Sequence, residues 1–371
     1  MKLNSHNEWD KLREVIVGNA ESLACLAFST TEPVSEEKRE QIGKLAREAY
    51  PQWLIDEVNE DLQELCDVLT KFGVKVLRPN SSRVGKVYSS PDWSASGDRQ
   101  YNIRDLHLVV GNTVLESPSQ ERHRLFEATG LYDIWYDYFK EGFRWIAAPK
   151  PRLVGQYMIT YHEDGHKHQK LTEDEILFEA ANTVRMGKDL LYLVSRSGNY
   201  LGAKWIQSVL GDEYRVHTTE KIYRSSHIDS TIMCLRPGLV LLNGVRVNPE
   251  ICPKIFDKWD KIYFTDIKST PPETLEFHRT VIKKVCEQLA QLNIETDIAH
   301  LASDWIGMNF LSLDPETVII DKRQTALIKI LESRKLRPIP ISFRHAHLFK
   351  GGIHCSTLDT VRDSKLESYF D

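Results

Sequence analysis

Residues 189–219, DLLYLVSRSGNYLGAKWIQSVLGDEYRVHTT, show the pattern from which the fold can be predicted. The segment begins with an apolar, β-rich run at 189–195 and continues through a helical pattern at 199–211. It ends in a second β-rich run at 214–219. Short apolar runs on either side of a helix-length segment predict a unit of strand, helix and strand. The rest of the chain shows the same order of elements.

This unit occurs five times, although the five copies share negligible sequence identity. The other four predicted units comprise 14–18, 52–72 and 74–79; 106–117, 119–140 and 143–148; 238–247, 249–260 and 262–266; and 317–321, 324–335 and 336–342.

Two architectures are consistent with this α/β pattern. Alternating strands and helices normally indicate a doubly wound parallel sheet. However, the first strand and the residues directly after it, EVIVGNAES (14–22), lack the G-x-G-x-x-G of a dinucleotide site. Five similar units can instead close around an axis, as radial repetition does in propellers. Their loops would then converge on one central pocket.

Composition narrows the class of protein. The chain has 371 residues, a net charge of −5 and no long run of Lys or Arg, which argues against nucleic-acid binding. It has no apolar run near the roughly 20 residues that span a membrane, and residues 1–18 do not resemble a signal peptide. The six cysteines form no CxxC, as expected of a cytoplasmic protein without disulfides or a cysteine zinc site. No linker divides residues 1–371, so we expect a single domain.

Acidic residues, a histidine and a cysteine lie beside the predicted strands. Asp105 directly precedes 106–117, Glu179 lies ahead of 189–195, and His227 and Asp229 are two residues apart. The sequence GGIHCST places Cys355 after two glycines, which allow the backbone to approach a ligand closely. Each residue alone is more often structural, as a turn acid, a solvated acid, a satisfied histidine or a buried thiol. Together they suit one chemistry, in which carboxylates hold a planar cation, a thiolate attacks it and histidine carries the proton.

Three other features have simpler interpretations. Cys66 lies on an apolar helical stripe and is predicted to be core. The histidines of HEDGHKH (162–168) are interpreted as part of a solvated loop rather than a metal site. The Asn-Gly of NGVR (243–246) predicts a hairpin turn, with Arg246 at its tip as a carboxylate clamp.

Long blocks of this sequence resemble the arginine-dependent amidinotransferases, above all the bacterial inosamine-phosphate enzymes and more distantly the vertebrate arginine:glycine enzyme. The blocks occur in the family's order and run nearly from end to end: HNEWDKLREVIVGNA, RDLHLVVGNTVLESP, FEAANTVRMGKDLLYLVSRSGNYLGAKW, HIDSTIMCLRPGLVLLN, WIGMN, DKRQTALI and GGIHCSTLD.

The resemblance implies a fold and a set of roles. The family fold is a five-bladed α/β-propeller, or pentein, with pseudo-fivefold ββαβ modules, and the family needs no metal or organic cofactor. Its nucleophile falls on Cys355, its acid/base histidine on His227 and the acid that orients this histidine on Glu179, where the family usually has Asp. The resemblance assigns the guanidinium to Asp105 and Asp229, and the donor's α-carboxylate to Arg246 and Ser303. By raising the pKa of His227, Glu179 is expected to favour a thiolate–imidazolium pair with Cys355.

The implied reaction is a ping-pong transfer of the amidino group of L-arginine to an acceptor amine, through an amidino-cysteine intermediate and with release of ornithine. Acceptor choice in the family depends on the loop before the histidine, here Arg224, Ser225 and Ser226, and we expect a secondary-metabolite amine rather than glycine. The alternatives are an arginine deiminase-like hydrolase, in which water is the acceptor, and a non-catalytic binding protein of the same superfamily. A homodimer is usual among relatives.

Overall fold

The structure of the protein is a computed structural model, and it describes residues 2–20, 29–31, 34–48, 50–80, 86–96, 100–155, 158–163, 166–223, 226–293 and 301–370. The strands are β1 Leu12–Val17, β2 Ser29–Thr30, β3 Lys75–Leu77, β4 Val87–Ser89, β5 Ser94–Ser96, β6 His107–Val110, β7 Thr113–Glu116, β8 Arg144–Ala147, β9 Met158–Glu163, β10 His166–Leu171, β11 Thr183–Met186, β12 Asp189–Leu193, β13 Arg215–Thr219, β14 Ile232–Arg236, β15 Leu239–Asn243, β16 Asp260–Phe264, β17 Leu311–Asp314, β18 Thr317–Asp321, β19 Arg337–Ile341 and β20 Thr357–Arg362. The α-helices are α1 Glu36–Glu48, α2 Gln52–Lys71, α3 Tyr132–Lys140, α4 Tyr200–Leu210, α5 Pro272–Gln291, α6 Thr325–Ser333 and α7 Ala346–Phe349.

Five three-stranded sheets share one strand pattern. In each, the central strand pairs antiparallel with one neighbour and parallel with the other, as β12 does with β11 and β13. The sheets are β20-β1-β3, β6-β7-β8, β11-β12-β13, β14-β15-β16 and β17-β18-β19. This pairing excludes a doubly wound parallel sheet for the described residues, and the described strands form no closed sheet. We call each sheet with its connections a module and number the modules 1 to 5 in the order given.

Module 1 is assembled from both ends of the chain. Its central strand β1 pairs antiparallel with the C-terminal strand β20 and parallel with β3. The residues directly before β20 include Cys355, so this pairing holds the cysteine loop against the N-terminal part of the chain.

The modules pack against one another through alternating side chains of buried strands. Leu190 and Tyr192 of β12 pack in one cluster with Ile206 of α4, while Leu191 and Leu193 pack in another with β14 and β15. This alternation follows from the twofold side-chain period of a strand. Five clusters join module 1 to 2, 2 to 3, 3 to 4, 4 to 5 and 5 back to 1. The packing is therefore cyclic.

Several sequence predictions are confirmed, and others are wrong at identifiable positions. Cys66 is buried in the cluster between modules 5 and 1, as predicted. The predicted helix 119–140 is an α-helix only over 132–140, because 122–124 and 127–131 form 3₁₀ turns that direct Arg124 and Glu127 inward. The predicted helix 249–260 contains only a 3₁₀ turn at 254–256, and Pro253 disfavours a helical residue before it.

Two predicted loops also differ from the structure. Residues 158–163 and 166–171 pair as antiparallel strands, so the described residues of 162–168 lie in strands β9 and β10 and not in the predicted loop. The turn at 243–246 is not a hairpin, because β15 ends there and the next strand, β16, runs parallel to it. Asn243 Oδ1 accepts the backbone N–H groups of Val245 and Arg246 and so closes the turn.

No helix among the described residues is both long and apolar enough to cross a membrane.

Candidate active site

The paired glycines before Cys355 lie where a side chain does not fit. A Cβ on Gly351 would lie 1.8 Å from Asn102 Oδ1, and one on Gly352 would lie 2.7 Å from Asn309 Cβ. Asn309 also accepts the backbone N–H of Cys355 through its Oδ1 at 2.9 Å. The glycines therefore let the loop sit close to two asparagines, one of which fixes the cysteine backbone.

The thiol of Cys355 is buried and bonded to an acid. Its Sγ donates to Asp229 Oδ2 at 3.2 Å. Burial, together with the negative charges of Asp229 and Asp105, raises the pKa of the Cys355 thiol well above its usual range. The raised pKa favours a thiol that is hydrogen-bonded to Asp229, rather than the expected thiolate–imidazolium pair.

His227 is bonded to Glu179. His227 Nε2 lies 2.5 Å from Glu179 Oε2, and Ser119 Oγ donates to Glu179 Oε1 at 2.6 Å. Backbone bonds place the two residues, because Ile228 N donates to Ala181 O and Glu179 N donates to Ser197 O. Although burial alone would lower it, the carboxylates of Asp105 and Glu179 raise the pKa of His227 to about 9. The imidazole is thus a cation at neutral pH and can donate a proton.

Asp105 faces the other nitrogen of the same imidazole. Its Oδ1 lies 3.6 Å from His227 Nδ1, and the turn at 103–105 is joined to the cysteine loop by Arg104 N donating to Cys355 O. Asp105 Oδ1 is buried and has no hydrogen-bond partner among the described residues. Burial raises the pKa of Asp105 despite the nearby positive charges of His227 and Arg124. An unpartnered buried acceptor of this kind suits a ligand that carries N–H groups.

Arg124 joins two of these acids, and sequence reasoning missed it. Its Nη1 donates to Asp105 Oδ2 at 2.8 Å and lies 3.3 Å from both carboxylate oxygens of Glu179, while its Nε donates to Glu127 Oε2 at 3.0 Å. The missed signal was a charged pair, Arg124 and Glu127, inside a segment interpreted as a plain helix.

Asp105, Glu179 and His227 present ligand atoms that all lie within 4.8 Å of one another, a spacing that a metal ion could use. Arg124 already supplies a positive charge to both carboxylates in this arrangement.

His354 was also missed as a separate group, although it lies inside the quoted GGIHCST motif. Its Nδ1 lies 3.0 Å from Asp229 Oδ2, the same oxygen that accepts the Cys355 thiol. Although burial opposes the change, hydrogen bonding to His354 lowers the pKa of Asp229, which is therefore a carboxylate.

Arg246 and Ser303 lie together, as the resemblance implies. Arg246 Nη2 donates to Ser303 Oγ at 3.1 Å, and its Nη1 donates to Thr231 Oγ1 at 2.9 Å. The guanidinium lies over the ring of Tyr223, 3.7 Å from its centroid. These contacts hold a cation and a hydroxyl side by side in a geometry that suits a carboxylate.

The acceptor loop is described only in part. Ser226 is half-buried, and its carbonyl accepts the hydroxyl of Ser195 at 2.8 Å. Arg224 and Ser225 lie outside the described residues.

No protein-family model matches the chain. By sequence, the chain is 40% identical over 369 residues to inosamine-phosphate amidinotransferase 1 of Streptomyces griseus, covering 98% of both chains. It is 34% identical to the L-arginine:L-lysine amidinotransferase of Pseudomonas savastanoi pv. phaseolicola, covering 98% of this chain and 96% of the relative.

The solved structures agree with the sequence comparison. The inosamine-phosphate amidinotransferase StrB1 from Streptomyces griseus superposes with a TM-score of 0.80 at 38% identity, covering 100% of this chain and 99% of that one. A dimethylarginine dimethylaminohydrolase superposes with a TM-score of 0.55 at 12% identity over 94% of this chain, a likeness that supports the α/β pentein fold alone. The end-to-end identity to named transferases decides the family: the chain belongs to the amidinotransferases.

Proposed function

We propose that the protein transfers the amidino group of L-arginine to a small amine through a covalent intermediate on Cys355, releasing ornithine. The observation that carries this proposal is the convergence of a thiol, a protonated imidazole and three carboxylates in one buried site. Cys355 is bonded to Asp229, and His227 lies between Asp105 and Glu179. A guanidinium has N–H groups on every edge of its plane, so two carboxylates can bind it while its central carbon faces the thiol.

Binding of the donor would activate the nucleophile. Burial, together with the negative charges of Asp229 and Asp105, favours the protonated thiol of Cys355. A guanidinium bound to these acids would neutralise that charge and take over the acceptor oxygen that the thiol now uses. Both changes lower the pKa of the thiol, so that its proton is released to solvent and the thiolate is favoured.

The first half-reaction then forms a bond between Cys355 Sγ and the guanidinium carbon. As the bond from this carbon to the ornithine nitrogen breaks, His227 donates its proton to that nitrogen. The pKa of His227, about 9, keeps the proton available at neutral pH. Glu179 would orient the imidazole and stabilise its cation, the role of the acid in catalytic triads.

The second half-reaction regenerates the thiolate and the imidazolium. An acceptor amine gives a proton to neutral His227 and attacks the amidino carbon, and the carbon–sulfur bond breaks to release the thiolate. Arg246 and Ser303 would bind the α-carboxylate of the donor, because they present a cation and a hydroxyl 3.1 Å apart.

The acceptor is proposed from the relatives. Two are named for inosamine phosphate and L-lysine as acceptors, and another for glycine. The inosamine-phosphate enzyme of Streptomyces griseus is 40% identical to this chain, so we infer a secondary-metabolite amine.

We also propose that the five modules form the blades of one pentein propeller over residues 1–371. The support is the cyclic order of the hydrophobic clusters, in which module 5 packs on module 1. Such an arrangement brings the loops that carry Asp105, Glu179, His227 and Cys355 to one place.

The test is incubation with L-arginine and a panel of amines that includes an aminocyclitol phosphate, L-lysine and glycine. Ornithine and citrulline are both quantified, and Cys355→Ala is the control for background hydrolysis. Ornithine formation that depends on one amine supports the proposal and identifies the acceptor. Citrulline formed at the same rate with and without amine would show a hydrolase instead.

A further inference from the structure

His354 occupies a position that the proposed reaction does not use. Both of its ring nitrogens face carboxylates: Nδ1 lies 3.0 Å from Asp229 Oδ2, and Nε2 lies 3.5 Å from Glu8 Oε2. Carboxylates only accept hydrogen bonds, so an imidazole between two of them satisfies both when each nitrogen carries a proton. The residue is 7% exposed, and solvent therefore screens these charges little.

Glu8 is itself held in place by two arginines. Its two oxygens accept Nε and Nη2 of Arg185 at 2.8 and 2.9 Å, and Arg104 Nη1 lies 3.7 Å from Oε2. Arg104 Nε also donates to the backbone carbonyl of His354 at 2.8 Å. The imidazole of His354 is thus fixed through its backbone and through both ring nitrogens.

At the other nitrogen of the His354 ring, Asp229 Oδ2 is in hydrogen-bond contact with both His354 and the thiol of Cys355. His227 and Arg246 also interact electrostatically with Asp229. Among the contacts that the structure gives, His354 is the imidazole bonded directly to this carboxylate. Its hydrogen bond therefore acts on the same oxygen that accepts the Cys355 thiol.

We propose that His354 is a positioning residue: as an imidazolium held by Glu8, it keeps Asp229 ionised and correctly oriented for the guanidinium, and it offsets the negative charge that opposes the Cys355 thiolate. The two neighbouring residues of the motif would then have different functions. Cys355 would react with the substrate, and His354 would position Asp229, the carboxylate that both residues contact. The inference deepens the proposed function and rests on it for the role of Asp229 toward arginine.

The main test compares His354→Asn and His354→Gln with wild type. The Asn amide can replace the Nδ1 donor to Asp229 but carries no charge, whereas the Gln amide reaches toward Glu8. Without the cation, Asp229 takes up a proton at higher pH. The pH below which the KM for arginine rises should then move up by about one unit or more, and KM should recover at alkaline pH. His354→Asn should retain more kcat than His354→Gln.

A second measurement needs neither arginine nor transfer activity. The rate at which iodoacetamide alkylates Cys355 at pH 7 is followed by mass spectrometry of the Cys355 peptide. Loss of the cation raises the pKa of the thiol, so alkylation should be about tenfold slower in both variants, one pKa unit corresponding to a factor of ten. If wild type forms no ornithine, the proposed function fails, while this measurement still decides the role of His354.

His107→Asn is the matched control. His107 is 1% exposed and lines the same small cavity as His354, and neither of its ring nitrogens has a hydrogen-bond partner among the described residues. It should leave the alkylation rate and the pH dependence of KM unchanged. Wild-type values for both measurements in His354→Asn, or a KM raised equally at every pH, would show that His354 only fills space.

Discussion

At the scale of single residues, burial and nearby charges determine which groups of the site are protonated. Three acids, Asp105, Glu179 and Asp229, lie within reach of one imidazole and one thiol, and burial makes each interaction strong. Asp105 and Asp229 act on both groups in the same direction. They raise the pKa of His227, which keeps the general acid protonated, and they add to the effect of burial in raising the pKa of Cys355, which keeps the nucleophile unreactive until a cation arrives.

The first prediction concerns Glu179→Gln. The change removes a negative charge 2.5 Å from His227 Nε2, so the pKa of His227 should fall from about 9. NMR titration of histidine-labelled protein measures this shift directly, and kcat should fall strongly with little change in the affinity for arginine. Glu179→Asp should fall short of wild type, because the shorter side chain does not reach the imidazole from the same backbone position. Glu276→Gln, at an exposed acid, is the control, and an unchanged titration of His227 in Glu179→Gln would contradict the assignment.

The second prediction concerns Asp105→Asn and Asp229→Asn, which keep volume but remove charge. Each should lower kcat/KM for arginine by on the order of 10²-fold or more, about 3 kcal/mol, because charge-assisted bonds to the guanidinium are lost. Asp189→Asn is the matched control, since Asp189 is also buried and bound to an arginine, Arg215, in module 3. It should lower stability and leave kcat/KM near wild type. Wild-type kinetics in the Asp105 and Asp229 variants would mean that these acids are only structural.

At the scale of secondary-structure elements, prediction from the sequence was most accurate where the helical period of apolar residues was unbroken. Helices α2, α4 and α6 lie within a residue or two of their predicted bounds. Prediction failed where buried polar contacts determine the backbone conformation. The segment before α3, for example, folds into 3₁₀ turns around the ion pairs of Arg124. Strand β20 was not predicted because it completes module 1 from the other end of the chain, and such a long-range pairing leaves no local signal.

In the candidate site, too, some residues were predicted from the sequence and others were not. The resemblance to the family pointed to Cys355, His227 and Asp229, because these lie in recognisable blocks. Arg124, His354 and Asn309 were missed because their importance comes from contacts between segments far apart in sequence, such as Cys355 N with Asn309 Oδ1.

The third prediction tests the cysteine loop. Gly351→Ala places a Cβ 1.8 Å from Asn102 Oδ1, so the loop or Asn102 must move and Cys355 should be displaced. We expect kcat to fall at least tenfold, since small misplacements of a reacting group are costly. Gly238→Ala is the control: Gly238 has a φ of +80° with open space around it, so the change should lower stability by about 1 kcal/mol and leave kcat unchanged. Equal kcat in the two variants would contradict the close-packing explanation.

At the scale of the whole molecule, one buried ion network joins three modules. Asp359 on β20 accepts Arg104 at 2.7 Å, Arg185 at 2.6 Å and Arg362 at 2.7 Å. Arg104 precedes β6, and Arg185 lies on β11. The network therefore ties the C-terminal strand of module 1 to modules 2 and 3, at the same place where the site loops meet.

The fourth prediction is that Asp359→Asn lowers the free energy of unfolding by about 3–5 kcal/mol, because it leaves buried arginines without their carboxylate. The arginines lower the pKa of Asp359 in the folded protein, although burial opposes them. Its contribution to stability is therefore complete above the ordinary pKa of Asp and is lost as pH falls through the lowered value. Urea unfolding at pH 7 measures the change. A loss below about 1 kcal/mol would show that the network does not hold the modules together.

Mass spectrometry of the protein quenched in acid after mixing with L-arginine and no acceptor detects the covalent intermediate itself. We expect one added amidino group on Cys355, its loss on addition of the acceptor amine, and no adduct in Cys355→Ser. An adduct on a different cysteine, or ornithine release by Cys355→Ala at the wild-type rate, would contradict this expectation.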